Sequence, residues 1–380
     1  MSTYLQLRWA ELGRFDRHLQ LLTLALIVIG FVAMTSASVE HAASRYDDAF
    51  FFAKRYFFHF SLAFALSVVM YLTPVDLWER TGWLWLLFGF LLLALVLIPG
   101  VGKEVNGSRR WLGVGPLTLQ ASEFVKLCVI FYLAGYLVRR RDEVRQSWSG
   151  FVKPMALLFA VTLLLMLEPD FGATVVTAGT AFVMIFLGGV KLGQFLLVIL
   201  SCVAGGVAMV IFEPYRMKRL TAFTDPWADQ FNTGYQLTQS LIAFGRGQTS
   251  GVGLGNSVQK LFYLPEAHTD FVYAIFAEEF GFIGSLLVLV LFVALIGRIL
   301  FIGRYAEMMG KQFHAFVAYG IAVMISGQAF INMGVNTGLL PTKGLTLPFF
   351  SYGGSSLIVC MAMVSLVARI ELECRRQDGR

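Results

Sequence analysis

The sequence predicts an all-α polytopic membrane protein: a bundle of ten transmembrane helices with a long extracytoplasmic loop between spans seven and eight. Three observations carry that prediction. Hydrophobic residues make up 57% of the 380 and charged residues only 14%, with a mean hydropathy of +0.70, far more apolar side chain than a soluble core of this size hides. Apolar runs of about 20 residues, the length that crosses a bilayer at 1.5 Å per residue, recur along the chain. Basic clusters fall on alternate connections between those runs.

Residues 1–17 are polar, with Arg8, Arg14 and Arg17, and precede an apolar run near 19–38. That start is like a cleavable signal, but the many spans that follow make it a first anchor. Further runs lie near 56–73, 82–99, 119–138, 150–167, 171–188, 192–212, 271–296, 313–338 and 352–370. Counted this way, Arg8/Arg14/Arg17, Arg139/Arg140/Arg141/Arg145, Arg298/Arg304/Lys311 and Arg369/Arg375/Arg376/Arg380 share one side, which places both termini in the cytoplasm. The 37 glycines suit close helix approach. Residues 1–380 read as a single transmembrane domain that includes the extracytoplasmic loop 213–270.

The loop's length marks it as functional or disordered, and "YQLTQSLIAFGRG" within it has an amphipathic helical pattern that argues for order. No inverted repeat is visible. A net charge of +6 does not indicate nucleic acid, because the basic residues sit in short connections. Cys128, Cys202, Cys360 and Cys374 are scattered, without metal-ligand spacing.

Asp270 stands out in "LPEAHTDFVYAIFAEEFG", at the end of the loop and the start of span eight. An acid at a helix start is favoured by the helix dipole. A carboxylate in a partly dry site is also the condition for a general base, because its pKa rises. The alternation Glu266, His268, Asp270 is a weak divalent-cation pattern. Glu278 and Glu279 lie two turns deeper, where structural bonds to a neighbouring Ser, Thr or Lys are at least as well supported as chemistry.

Glu123 and Lys126 are three residues apart in span four, so they share a helix face and neutralise each other. Arg109, Arg110 and Trp111 stand upstream on the outer side, against the positive-inside trend, which points to an anionic partner such as a lipid phosphate or to ordinary headgroup contact. "EPD" (168–170) is a tight outer turn. Arg216, Lys218, Arg219, Arg246 and Lys260 add external positive charge, while "GVGLGN" lacks the context of a phosphate-binding loop. Between the last two spans, "LLPTKGLTLPFFSYGGSS" combines Lys343, two prolines and the small residues around Ser351; irregular backbone at that depth is tolerated against protein or a water-filled cavity.

The strings "NGSRRWL", "QASEFVKL", "EPDFGATV", "GYQLTQSLIAFGRG", "GLGNSVQKLFYLPEAHTDFVYAIFAEEFG" and "GLLPTKGLTLPFFSYGGSS" closely resemble the SEDS family of bacterial cell-wall polymerases. The likeness runs from about the first span to the last. "NSVQK" followed by "LPEAHTDF" favours its cell-division branch over its elongation branch. The resemblance implies a ten-span protein of the bacterial cytoplasmic membrane, at the division septum. Such a protein polymerises lipid II into β-1,4 glycan strands on the outer side, with inversion and undecaprenyl pyrophosphate as leaving group. Its implied partners are a class B penicillin-binding transpeptidase and other division membrane proteins. Asp270 matches the family's essential aspartate; Arg110, Trp111, Glu123, Lys126 and Lys343 match its cavity motifs, and Arg109, Arg246, His268 and Ser351 are expected to join them in binding substrate. A divalent cation, Mg2+ or Mn2+, is the one candidate cofactor. "QASE" departs from the family's "QPSE" or "QPAE", which alters the helix entry rather than the chemistry. A lipid-precursor flippase and a non-catalytic division scaffold are the alternatives.

Overall fold

The structure is a computed structural model that describes residues 16–105, 108–114, 117–211, 223–342 and 344–378. The sequence readings of Arg8, Arg14, Arg216, Lys218, Arg219, Lys343 and Arg380 fall outside the described residues. Helix α1 (Arg17–Tyr46) starts where the Asp16 carboxylate accepts from His18 N (3.0 Å) and ends at Asp47 in the left-handed region (φ 52°). Helices α2 (Phe51–Leu72) and α3 (Val75–Leu97) meet at Pro74, which lacks the N–H that a continuous helix would need there. A three-stranded sheet follows, β1 (Gly102–Val105), β2 (Ser108–Val114) and β3 (Leu117–Gln120). Then come α4 (Ala121–Arg139), α5 (Arg141–Gln146), α6 (Trp148–Leu167), α7 (Phe171–Leu187) and α8 (Leu192–Ile211). The long connection contains α9 (Tyr235–Gly247), and α10 (Val272–Met308), α11 (Gln312–Asn336) and α12 (Gly354–Gln377) complete the bundle.

Among the described residues, seven helices are long and apolar enough to cross a membrane: α1, α2, α3, α4, α6, α10 and α11. The protein is a multi-pass membrane protein. Helix α7 is apolar but shorter, and α12 is long but carries Arg369, Glu371, Glu373, Arg375 and Arg376 in its second half. Helix α4 is the centre: 78% of its apolar window is buried against 33% for α3, so α4 is surrounded by protein where α3 faces lipid.

Two sequence expectations need correction. The helix that carries the eighth span does not end near residue 296. Arg298 interrupts the apolar run, but it pairs with Asp16 (2.6 Å) and Glu371 (3.0 Å), and the neutralised helix continues to Met308. The all-α reading also fails over 102–105, 108–114 and 117–120, which form an antiparallel sheet in the order β1-β2-β3. Val105 faces Ser108 and Val114 faces Leu117 across the two connections. The Asn106-Gly107 dipeptide between the first pair is a hairpin signal that a search for 20-residue apolar windows passes over.

Ion pairs gather one end of the bundle. Besides Asp16–Arg298–Glu371, Glu373 of α12 binds His314 (2.8 Å) and Arg369 (2.7 Å), and its carbonyl accepts from Lys311 Nζ (3.0 Å). The basic clusters on α10, α11 and α12 therefore lie together, and the sheet, the 168–170 turn and Asp270 lie at the other end.

Candidate active site

Three stretches converge on the end opposite the basic clusters. Strand β2 brings Arg110, whose Nε donates to Glu168 O (3.2 Å) and whose Nη2 donates to Pro169 O. The turn it holds ends in Asp170, which caps α7 through Ala173 N (3.1 Å) and accepts from Gln120 Nε2 (3.2 Å) and Ser122 Oγ (3.0 Å). The third stretch is the end of the long connection. There Thr269 N and Phe271 N both donate to Glu266 O (3.2 Å each), which folds the chain back on itself around Asp270.

Helix α11 fixes the backbone at that point. Asn332 Nδ2 and Asn336 Nδ2 each donate to Asp270 O (2.9 Å), and Asn336 Oδ1 accepts from Ala274 N (3.1 Å) in the first turn of α10. Asn332 also donates to Leu345 O (2.5 Å), which ties in the segment before α12. Both asparagines are buried.

The carboxylate of Asp270 enters a cavity of about 150 Å³ lined by Arg110, Pro169, Phe171, Gly172, Gln236, Phe271, Thr342 and Gly344. A Cβ added to Gly344 would stand 3.1 Å from Asp270 Oδ2, so that wall must stay bare for the carboxylate to keep its place. Asp270 retains some exposure through the cavity mouth, yet protein excludes water from most directions. That burial, with the charge of Glu266 behind it, pushes the carboxyl up to about 7, while Arg110 pulls it down and Asp170 pushes it up. Among the described residues no group hydrogen-bonds the carboxylate, so it is free to accept a proton from a ligand. Glu168 is also perturbed: burial, then Asp170, raises it to about 8. Both of its carboxyl oxygens are buried without a partner among the described residues, which suits a protonated acid.

The other predicted site residues divide. Lys126 and Glu123 are buried and paired at 2.7 Å, and Lys126 Nζ also reaches Gln328 Oε1 (2.9 Å). Gln328 Nε2 donates on to Thr346 O (3.0 Å) and Ser356 Oγ (3.3 Å), so the pair braces α4, α11 and α12 against the segment that walls the cavity. Ser351 Oγ accepts from Leu347 N (2.8 Å) and closes a turn in that segment. Trp111 pairs with Lys103 and Gln120 in the sheet. Arg109 is ion-paired with Glu104 (3.2 Å) at the surface, and Arg246 with Glu278 (3.1 Å). The His268 ring joins His41 (5.4 Å), Phe52 (4.5 Å) and Tyr352 (5.8 Å) instead of the cavity, and burial pulls its pKa to about 4, leaving it neutral. Lys343 lies outside the described residues.

Glu266, His268 and Asp270 do not bring three ligand atoms together. Among the described residues Asp76, His314 and Glu373 do, at the far end of the bundle, where Arg369 and Val75 N already occupy Glu373 Oε1. Size does not locate the chemistry either: a groove of about 670 Å³ between α1, α2 and α12 has Arg17 as its one charged lining residue and no acid, and a larger one of about 750 Å³ beside Asp76, Glu79 and Arg139 lies at the end away from Asp270.

Sequence reasoning missed Asn332, Asn336 and Gln328. Their signal was present: amides spaced four apart in an otherwise apolar span must find partners inside the protein.

The FtsW/RodA/SpoVE cell-cycle protein family matches residues 17–376. A relative named "Probable peptidoglycan glycosyltransferase FtsW" from Hahella chejuensis is 54% identical over 350 residues, 92% of this chain and 88% of the relative. Among solved structures, one described as a peptidoglycan synthase complex that coordinates polymerization and crosslinking superposes with a TM-score of 0.78 at 29% identity, over 95% of this chain and 98% of its own. The rod shape determining protein RodA of Thermus thermophilus superposes with a TM-score of 0.69 at 27% identity, over 94% and 97%.

Proposed function

The chain belongs to the FtsW/RodA/SpoVE family of cell-cycle proteins, and from that membership we propose that it is a peptidoglycan glycosyltransferase that polymerises lipid II into β-1,4 glycan strands. The observation that carries the mechanism is the Asp270 carboxylate. Without a hydrogen-bond partner among the described residues, it stands in an outer cavity beside Arg110, with a pKa of about 7.

In this mechanism the acceptor's sugar 4-hydroxyl reaches Asp270. Its O–H bond breaks, the proton passes to the carboxylate, and the oxygen bonds the donor's anomeric carbon. The bond from that carbon to the pyrophosphate breaks on the opposite side, and the electron pair leaves with undecaprenyl pyrophosphate. One displacement inverts an α-linked donor to a β-linked product without a protein nucleophile. Arg110 meets the charge on the leaving group. Lys343, which the family likeness assigns to the same cavity, adds a second cation. A divalent cation would find one free carboxylate on the cavity wall, because the oxygens of Asp170 are already engaged; no step is assigned to it.

The cavity is smaller than the ~300 Å³ usual for ligand sites, so the walls formed by Gln236 and Phe271 and by Thr342 and Gly344 must separate to admit a disaccharide. A class B penicillin-binding transpeptidase gripping the outer loop would hold them apart, in keeping with the match to a synthase complex. In this reading α7, α8 and α12 also cross the membrane. Ten spans then form one domain in the cytoplasmic membrane at the division septum, with both termini cytoplasmic.

Reconstitution with labelled lipid II tests the proposal. Glycan chains support it, translocated monomer supports a flippase, and neither product supports a scaffold.

A further inference from the structure

The connection that carries Asp270 is threaded into a broken helix. Helix α10 departs from helical geometry at Gly281 (φ 67°, ψ −165°), and the connection takes up the backbone groups that the break releases. Val252 N donates to Glu278 O and Gly253 N to Glu279 O (3.0 Å each). On the other side of the break, Phe282 N donates to Gln248 O (2.8 Å) and Ile283 N to Thr249 O (3.1 Å). A Cβ at Gly251 (φ 83°) would lie 2.1 Å from Glu279 O. Gly251 therefore serves close approach.

Two carboxylates then fix the stretch that follows. Glu278 is fully buried and accepts from Arg246 Nη1 (3.1 Å), Val258 N (3.0 Å), Gln259 N (3.3 Å) and Ser257 Oγ. Glu279 Oε1 accepts from Lys260 Nζ (2.8 Å) and from Ser36 Oγ of α1 (2.7 Å). From there the chain turns through Leu264 N to Gln259 O (2.9 Å) and runs directly to Asp270. None of these groups lines the Asp270 cavity.

We infer that Glu278 is a positioning residue for the glycosyl transfer: by knotting residues 246–259 into the break in α10, it sets where the Asp270 carboxylate enters the cavity. The inference rests on the reading of Asp270 as the base. It needs an ionised carboxylate, since four donors converge on an acceptor-only group; an amide of the same shape turns an N–H toward at least one of them. Loosening the knot also loosens the stretch that carries Asp270 and lets water reach its carboxylate. Among the described residues, the charges facing Asp270 are Arg110 from β2, Asp170 from the turn before α7 and Glu266 from its own stretch.

The test uses purified full-length Glu278→Gln and Ser257→Ala, the second removing one donor only. Three quantities are read: hydrogen exchange over residues 247–261, the turnover of lipid II, and the pH midpoint of that turnover. Faster exchange, kcat lower by roughly 10²-fold, the loss a misplacement of about 1 Å brings, and a midpoint moved to lower pH are expected for Glu278→Gln. Ser257→Ala should move exchange and midpoint the same way by less, and it decides the matter if Glu278→Gln does not fold. A smaller folded fraction would lower the rate without moving the midpoint. Faster exchange with wild-type kcat and midpoint overturns the inference, as does unchanged exchange. If Asp270→Asn still polymerises, the base assignment itself fails; if it is inert while Glu278→Gln behaves as wild type, only the positioning role fails.

Discussion

Replacing Glu266 by Gln should move the pH dependence of polymerisation downward. Asp270 acts as a base only when ionised, and its pKa of about 7 leaves about one-tenth of the protein ready at pH 6 and about nine-tenths at pH 8. The wild-type rate at saturating lipid II should therefore rise about tenfold over that range and then level off. Burial is the main cause of the raised value, and the Glu266 charge is next. One charge acting across a partly solvated site is worth about 0.7 kcal/mol, or half a pH unit. Removing that negative neighbour makes ionisation easier, so the midpoint falls and the rate at pH 6 rises about threefold, with the plateau unchanged. Initial rates of glycan formation between pH 5.5 and 8.5 measure both curves. A flat wild-type profile, or an upward shift in Glu266→Gln, would refute the reasoning.

Other perturbations probe the same frame. Arg110→Met should shift the midpoint upward, opposite to Glu266→Gln, and lower the plateau through lost contact with the leaving group, read in the same assay. Asp270→Asn should raise the melting temperature at pH 8, and by clearly less at pH 5. A carboxyl whose folded pKa is raised above 3.8 favours folding only while protonated, and that contribution is lost as pH climbs through about 7. Lys126→Met or Glu123→Gln alone should destabilise by about 3–5 kcal/mol, because each strands a buried partner, and Lys126→Met with Glu123→Gln together by much less; thermal unfolding of the three variants checks this. Asn336→Ala should cost about 0.5–1.5 kcal/mol by removing one of the two amides that donate to Asp270 O and one of the two acceptors of Ala274 N, and should reduce kcat more than it changes KM.

Much of this was legible in the sequence because apolar length and basic clusters report on the membrane directly. The windows that predicted spans 19–38, 119–138 and 313–338 fall inside or nearly inside α1, α4 and α11. The Glu123–Lys126 pair followed from spacing alone, since residues three apart on a helix must meet. Asp270 was visible because a charge at that depth demands a reason. What was hidden depended on distant partners. Arg298 interrupts an apolar run, and only Asp16 and Glu371, far away in the chain, explain why the helix continues. Arg246 and Glu278 are 32 residues apart, so nothing local distinguished an anchoring arginine from a ligand-binding one. The glycines at 251, 253 and 255 suggested flexibility, yet Gly251 packs against the backbone of a helix whose break no periodicity displays. The sheet escaped because its strands are shorter than any membrane window.

The most direct measurement is the initial rate of glycan chain formation from lipid II by purified Asp270→Asn, compared with wild type at equal folded concentration at pH 8. Loss of a general base predicts a fall of about 10²–10⁴-fold with membrane insertion intact and no loss of thermal stability. A rate within twofold of wild type would contradict the account.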